Sequence, residues 1–100
     1  MSKKIHIYED TPESSLDIEI EVKIGNSYHS IMYTNGSYET LIIDRIDNNG
    51  VHLVDSRHPN SEVIFVEFEK KYESKTYSVR YNGHDADEMR YYRSLEIIEE

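Results

Sequence analysis

The sequence predicts a mainly β protein: a single small antiparallel meander or SH3/OB-like barrel, with a short helical segment near the C-terminus. Residues 16–24 read Leu-Asp-Ile-Glu-Ile-Glu-Val-Lys-Ile, an unbroken alternation of apolar and charged side chains. A period of two is that of a half-buried strand. Turn residues recur at short intervals, as between hairpin-connected strands and unlike the long crossovers of βαβ units. With 100 residues there is room for one domain, which we place over residues 1–100.

Taken in order, residues 3–8 form the expected first strand, closed by the polar loop Thr11-Pro12-Glu13-Ser14-Ser15. The acidic strand 16–24 follows, with Leu16, Ile18, Ile20, Val22 and Ile24 on the core side and Asp17, Glu19 and Glu21 on the other. Gly25-Asn26 ends it. Residues 28–34 and 37–43 flank Asn35-Gly36, a two-residue hairpin signal because both positions tolerate positive φ. This turn would set Tyr33 opposite Tyr38. The second of these strands runs on towards Asp47, and Asn48-Asn49-Gly50 turns it into strand 51–55. Residues 56–61 read as a polar connection and 62–71 as a long strand, with Ile64, Val66 and Phe68 on one face and Val63, Phe65, Glu67 and Glu69 on the other. Tyr72-Glu73-Ser74 then reverses the chain into strand 76–81. Asp85 followed by Glu88 resembles a capping box, so a helical turn is expected over 85–90. The aromatic and β-branched content of 91–98 favours a closing strand after it.

Composition narrows the function. The formal net charge is −9, which disfavours direct contact with nucleic acid or an anionic membrane and favours a basic partner surface. The charge is uneven: residues 1–69 carry 13 acids against 5 bases, a balance of −8, and residues 70–100 carry 7 against 6, a balance of −1. Such a charge also keeps a small domain soluble. The absence of cysteine excludes disulfides, thiolate metal sites and cysteine nucleophiles. No apolar stretch reaches signal-peptide or membrane-span length, which gives the expectation of a cytoplasmic protein.

Chemistry finds no foothold in the residue order. His6, His29, His52, His58 and His84 show no metal-ligand spacing and read as surface or loop imidazoles. Counting a calcium loop from Asp85 puts Met89 and Arg90 where an oxygen ligand and a glycine are required. The four glycines are isolated, so no phosphate-cradling loop exists. We therefore expect no catalytic residues, no metal and no cofactor, and a non-enzymatic protein.

Surface recognition remains. Asp17, Glu19 and Glu21 on one strand and Glu67 and Glu69 on another are the candidate partner-binding residues, provided the two strands share a sheet face or meet at one edge. Carboxylates at i and i+2 repeat about every 6.6–6.8 Å, close to the rise of about two phosphates along one DNA strand at roughly 3.4 Å each. Charged outer faces also serve simply to solvate a sheet and to deter edge aggregation. Nine tyrosines exceed what one small core holds, so some are available as interface anchors.

Through Asp17-Ile18-Glu19-Ile20-Glu21, Glu67-Phe68-Glu69 and the acidic balance, the chain resembles small acidic phage-encoded inhibitor proteins of the anti-CRISPR and DNA-mimic kind. The resemblance is one of size and charge and carries no residue roles. It implies a non-catalytic inhibitor in the host cytoplasm that covers the nucleic-acid-binding surface of a nuclease or related enzyme. The alternative is a structural or adaptor β-domain that self-assembles, as a homodimer for example, through sheet edges or exposed tyrosines. A third reading is a barrel with a ligand in its mouth.

Overall fold

Alternating side chains need a second layer to cover their apolar face, and the computed structural model, which describes residues 2–10, 15–32, 37–81 and 86–99, supplies it as two antiparallel four-stranded sheets. The strands are β1 (Lys3–Asp10), β2 (Ser15–Glu21), β3 (Ser27–Met32), β4 (Ser37–Ile46), β5 (Gly50–Asp55), β6 (His58–Glu67), β7 (Lys71–Tyr81) and β8 (Ala86–Glu99). Sheet 1 has the order β2-β1-β8-β7, and sheet 2 is the meander β3-β4-β5-β6. The mainly β class holds, and the closed barrel is replaced by two sheets over a shared core. Sheet 1 ends in β2 and β7 and sheet 2 in β3 and β6, and among the described residues no strand of one sheet pairs with a strand of the other, so the barrel does not close.

The core lies between the sheets. Ile5 and Ile7 of β1 and Leu95 of β8 face Leu41 and Ile43 of β4, Val51 and Leu53 of β5, and Ile64 and Val66 of β6. Leu16, Ile18, Ile20 and Val22 pack at its margin. The expected strand 16–24 ends at Glu21: Asn26 N–H donates to the Lys23 carbonyl at 3.1 Å, and Ile24 turns outward with 62% of its surface exposed.

Four further expectations change. The helical turn over 85–90 is not formed in residues 86–90, which belong to β8 and pair with β7 from Ala86 opposite Tyr81; Asp85 itself lies outside the described residues. A long antiparallel partner overrides the local capping pattern. The connection expected at 56–61 shrinks to Ser56-Arg57, held by Arg57 N–H to Asp55 Oδ1 at 2.8 Å, and β6 begins at His58 with register shifts that absorb the extra residues. The reversal expected at 72–74 falls earlier, where Lys70 N–H donates to the Glu67 carbonyl at 3.3 Å and Glu69 takes φ 64°. Asn35-Gly36 lies outside the described residues, yet the register beside it pairs Met32 with Ser37 and Ile31 with Tyr38, leaving residues 33–36 between the last partners and Tyr38 opposite Ile31, not Tyr33.

One end of the interior is ionic. β1 register places Glu9 beside Arg93, and Arg93 Nε lies 3.1 Å from Glu9 Oε1 and its Nη2 3.6 Å from Glu39 Oε1 of β4. Arg93 also donates to the Ser30 hydroxyl of β3. Glu9 is only 2% exposed, and neither of its oxygens accepts a hydrogen bond among the described residues, so the charge of Arg93 is what holds it. This cluster ties sheet 1 to sheet 2 where the aliphatic core stops.

Candidate functional site

β2 is an edge strand, and its burial alternates strictly between exposed and half-buried. Asp17, Glu19 and Glu21 stand on its outward face, as the alternation requires. Antiparallel register sets them against β1: Asp17 opposite Tyr8, Glu19 opposite His6 and Glu21 opposite Lys4. Diagonal neighbours make the contacts. His6 Nε2 lies 2.7 Å from Asp17 Oδ1, and Lys4 Nζ lies 3.8 Å from Glu19 Oε2. Glu21 has no ion pair among the described residues. Exposed pairs contribute about 0–1 kcal/mol, so Asp17 and Glu19 can change partners at little cost.

Glu67 belongs to the other sheet and Glu69 to the turn that leaves it. Glu67 ends β6 with Lys70 Nζ 2.6 Å from its carboxylate, and Glu69 is in the following turn. The structure therefore does not put the two acidic segments on one sheet face. They converge at a single point, where Glu21 and Phe68 line a groove of about 380 Å³ with Ser2, Lys3, Val22 and Ile46. Lys3 bridges it, with its Nζ 4.1 Å from the Phe68 ring centroid and 3.6 Å from Glu99. The result is a row of three carboxylates on β2, with Glu67 and Glu69 beyond a lysine-crossed gap.

A second polar constellation sits on the outer face of sheet 2, and the sequence reading passed over it. Central strand β5 presents His52 between Arg45 of β4 and Phe65 of β6. Phe65 stacks on the imidazole at 4.4 Å between centroids. His52 Nε2 lies 2.6 Å from Asp47 Oδ2, and Nδ1 contacts Glu62 Oε1. With both nitrogens engaged by carboxylates, the Arg45 Nη2 contacts at 3.3 Å to each of them describe a guanidinium lying along the ring. The Asp47 hydrogen bond is the main influence raising the His52 pKa above 6.5, with Glu62 helping and burial and Arg45 opposing. Asp47 is correspondingly held below 3.8, chiefly by His52 and then by the Asn49 backbone N–H.

Asp47 does two jobs. Its Oδ1 accepts the N–H groups of Asn49 and Gly50 at 2.8 and 3.0 Å, closing the β4–β5 turn, while Oδ2 reaches His52. The signal was present in the order Asp47-Asn48-Asn49-Gly50-Val51-His52, because a tight turn folds residue 47 back over residue 52. Glu62 could be added only by knowing the β5–β6 register. A ring whose two nitrogens both contact carboxylates has neither lone pair turned outward for a metal ion. Among the described residues, no three His, Asp or Glu side chains converge to hold a metal ion. His6, His29, His52 and His58 lie on strands and not in loops, with His29 and His58 exposed, and His84 lies outside the described residues.

No helix among the described residues is long and apolar enough to cross a membrane. The chain matches no protein family, no curated protein and no solved structure.

Proposed function

We propose that this chain is a non-catalytic, acidic protein-binding inhibitor that covers the basic, nucleic-acid-binding surface of a nuclease or related enzyme, of the kind bacteriophages direct against host defence in the cytoplasm. The observation that carries the reading is the exposure of Asp17, Glu19 and Glu21 in register on an edge strand, in a chain of net charge −9. Such a row steers a basic partner at long range and contacts it with side chains already aligned. Glu67 and Glu69 supply a flanking contact across the Phe68 groove.

The test is capture from nuclease-treated bacterial lysate with the native chain and with Asp17/Glu19/Glu21→Ser. A nucleic-acid enzyme retained by the native chain, released by duplex DNA and lost with the variant is the expected result. Three exposed pairs at roughly 0.5–1 kcal/mol each amount to a roughly 10- to 150-fold loss of affinity. Equal retention by the variant would remove the carboxylate row from the mechanism. Matching circular dichroism spectra of the two chains would show that the fold is common to both.

A further inference from the structure

The backbone of β2 says how its carboxylates are read. Val22 N–H donates to the Lys3 carbonyl at 2.9 Å, one step beyond the register pair Lys4 and Glu21, so that Lys3 and Val22 continue the ladder as opposite residues. In an antiparallel ladder, hydrogen-bonded and non-hydrogen-bonded pairs alternate. Leu16, Ile18 and Ile20 therefore spend their N–H and C=O groups on β1, and Ser15, Asp17 and Glu19 aim theirs outward, where sheet 1 has no further strand among the described residues. The next carbonyl, that of Glu21, accepts the Asn26 side-chain amide at 3.0 Å and is closed. The residues that carry the acids are thus the ones that offer free backbone groups.

Resting on the reading of β2 as the docking surface, we propose that the partner binds by strand addition: an extended segment with Lys or Arg at alternate positions pairs with Ser15–Glu21 and becomes the fifth strand of sheet 1. Residues directly opposite one another share a face. Basic side chains of the added strand lie against Asp17 and Glu19, and its intervening apolar side chains extend the half-buried row of Leu16, Ile18 and Ile20. A second copy of this chain is disfavoured on the same edge, because β2 against β2 sets carboxylate opposite carboxylate. The acidic row works as a filter on what the open edge accepts.

Two octapeptides alternating lysine with valine, identical in charge and composition, make the test. One is N-methylated at its valines, which leaves the lysine N–H groups free to face Asp17 and Glu19; the other is N-methylated at its lysines. Strand addition predicts that the first binds at least tenfold more tightly and slows hydrogen exchange of the Asp17 and Glu19 amides. Glu19→Pro, which removes an outward N–H without touching the β1 ladder, should abolish this preference. Equal salt-sensitive binding of both peptides would overturn strand addition and leave the acidic-surface reading standing. Binding of neither would overturn both. A homodimer dispersed by Glu19→Pro would overturn the proposal by placing a second copy on the edge.

Discussion

Sheet 2 takes residues 27–67 in chain order, each strand pairing with the next, whereas sheet 1 joins Lys3–Asp10 to residues 92–99. Each sheet carries a histidine between two carboxylates on its outer face: His6 with Asp17 at 2.7 Å and Glu96 at 3.7 Å, and His52 with Asp47 at 2.6 Å and Glu62. The settings differ. His52 is on a central strand under Phe65, with 12% of its side chain exposed, and His6 keeps 30%. The local sheet has a sequestered polar cluster that serves its own turn. The sheet assembled from distant strands leaves its charges at an edge, where something else can reach them.

The largest effect is expected where the two sheets are joined. Arg93→Ala leaves Glu9 and Glu39 together without a counter-charge, and should cost about 3–5 kcal/mol in urea unfolding, as broken buried pairs do. Replacing all three by apolar residues, Glu9→Leu, Arg93→Met and Glu39→Leu, should be neutral or stabilising by about 1–4 kcal/mol. A cost below about 1 kcal/mol for Arg93→Ala would mean that the sheets are held by their aliphatic contacts alone.

Within sheet 2, Gly50→Ala should cost about 1–3 kcal/mol by overpacking. A Cβ there would meet the Val66 carbonyl oxygen at 2.2 Å and the Glu67 Cα at 2.8 Å, both backbone atoms that move only if β6 moves. An unchanged urea midpoint would show the β5–β6 ladder to be looser than this approach implies.

His52→Gln probes the same sheet through pH. A raised histidine pKa stabilises the fold fully below the unfolded value near 6.5, and the contribution is lost as pH rises through the folded value. Asp47, held below 3.8, contributes above that value and loses its contribution as pH falls through the depressed one. The stability difference between the native chain and His52→Gln should therefore be greatest between about pH 4 and 6.5 and shrink towards pH 9. Thermal melts at pH 5.5 and 9 measure it; a difference that grows with pH would reverse the assignment.

The smallest effect belongs to the turn that leads from one sheet to the other. Glu69 holds φ 64°, a conformation that costs a non-glycine residue about 1 kcal/mol. Glu69→Gly should raise stability by about that amount, and a lowered melting temperature would show that the Glu69 side chain makes a compensating contact.

What the sequence disclosed follows the same division. The strict alternation of β2 identified its strand and both its faces, because periodicity is a local property. Asn48-Asn49-Gly50 and the short β5 were legible for the same reason. The pairing of β1 with β8 left no trace, since nothing near Ile5 or Ile7 specifies that Leu95 and Ile97 lie beside them. The turn after β6 was hidden because Glu69 adopts a left-handed conformation without glycine or asparagine to announce it. The outward placement of Asp17, Glu19 and Glu21 was legible in their own spacing. The Asp47-His52-Glu62 cluster needed a turn and a hairpin register to assemble it, and the outward aim of the Asp17 and Glu19 backbone emerged only from the Lys3–Val22 bond.

The union of β1 with β8 also sets a clock on biosynthesis. Asp10 and its partner Tyr92 are 92 − 10 = 82 residues apart. At roughly 5–20 residues per second, β1 waits on the ribosome for about 4–16 s after it is made before its neighbour exists. Sheet 2 can finish in that interval, because each of its strands follows the last. The β1–β2 hairpin meanwhile carries two open edges in place of one, and the β2 edge is the one with exposed carboxylates at alternate positions along its length. Occupation of the vacant β1 position by another nascent strand competes with folding during those seconds, so slower translation of β3 to β7 should lower the yield of native protein without changing its final stability.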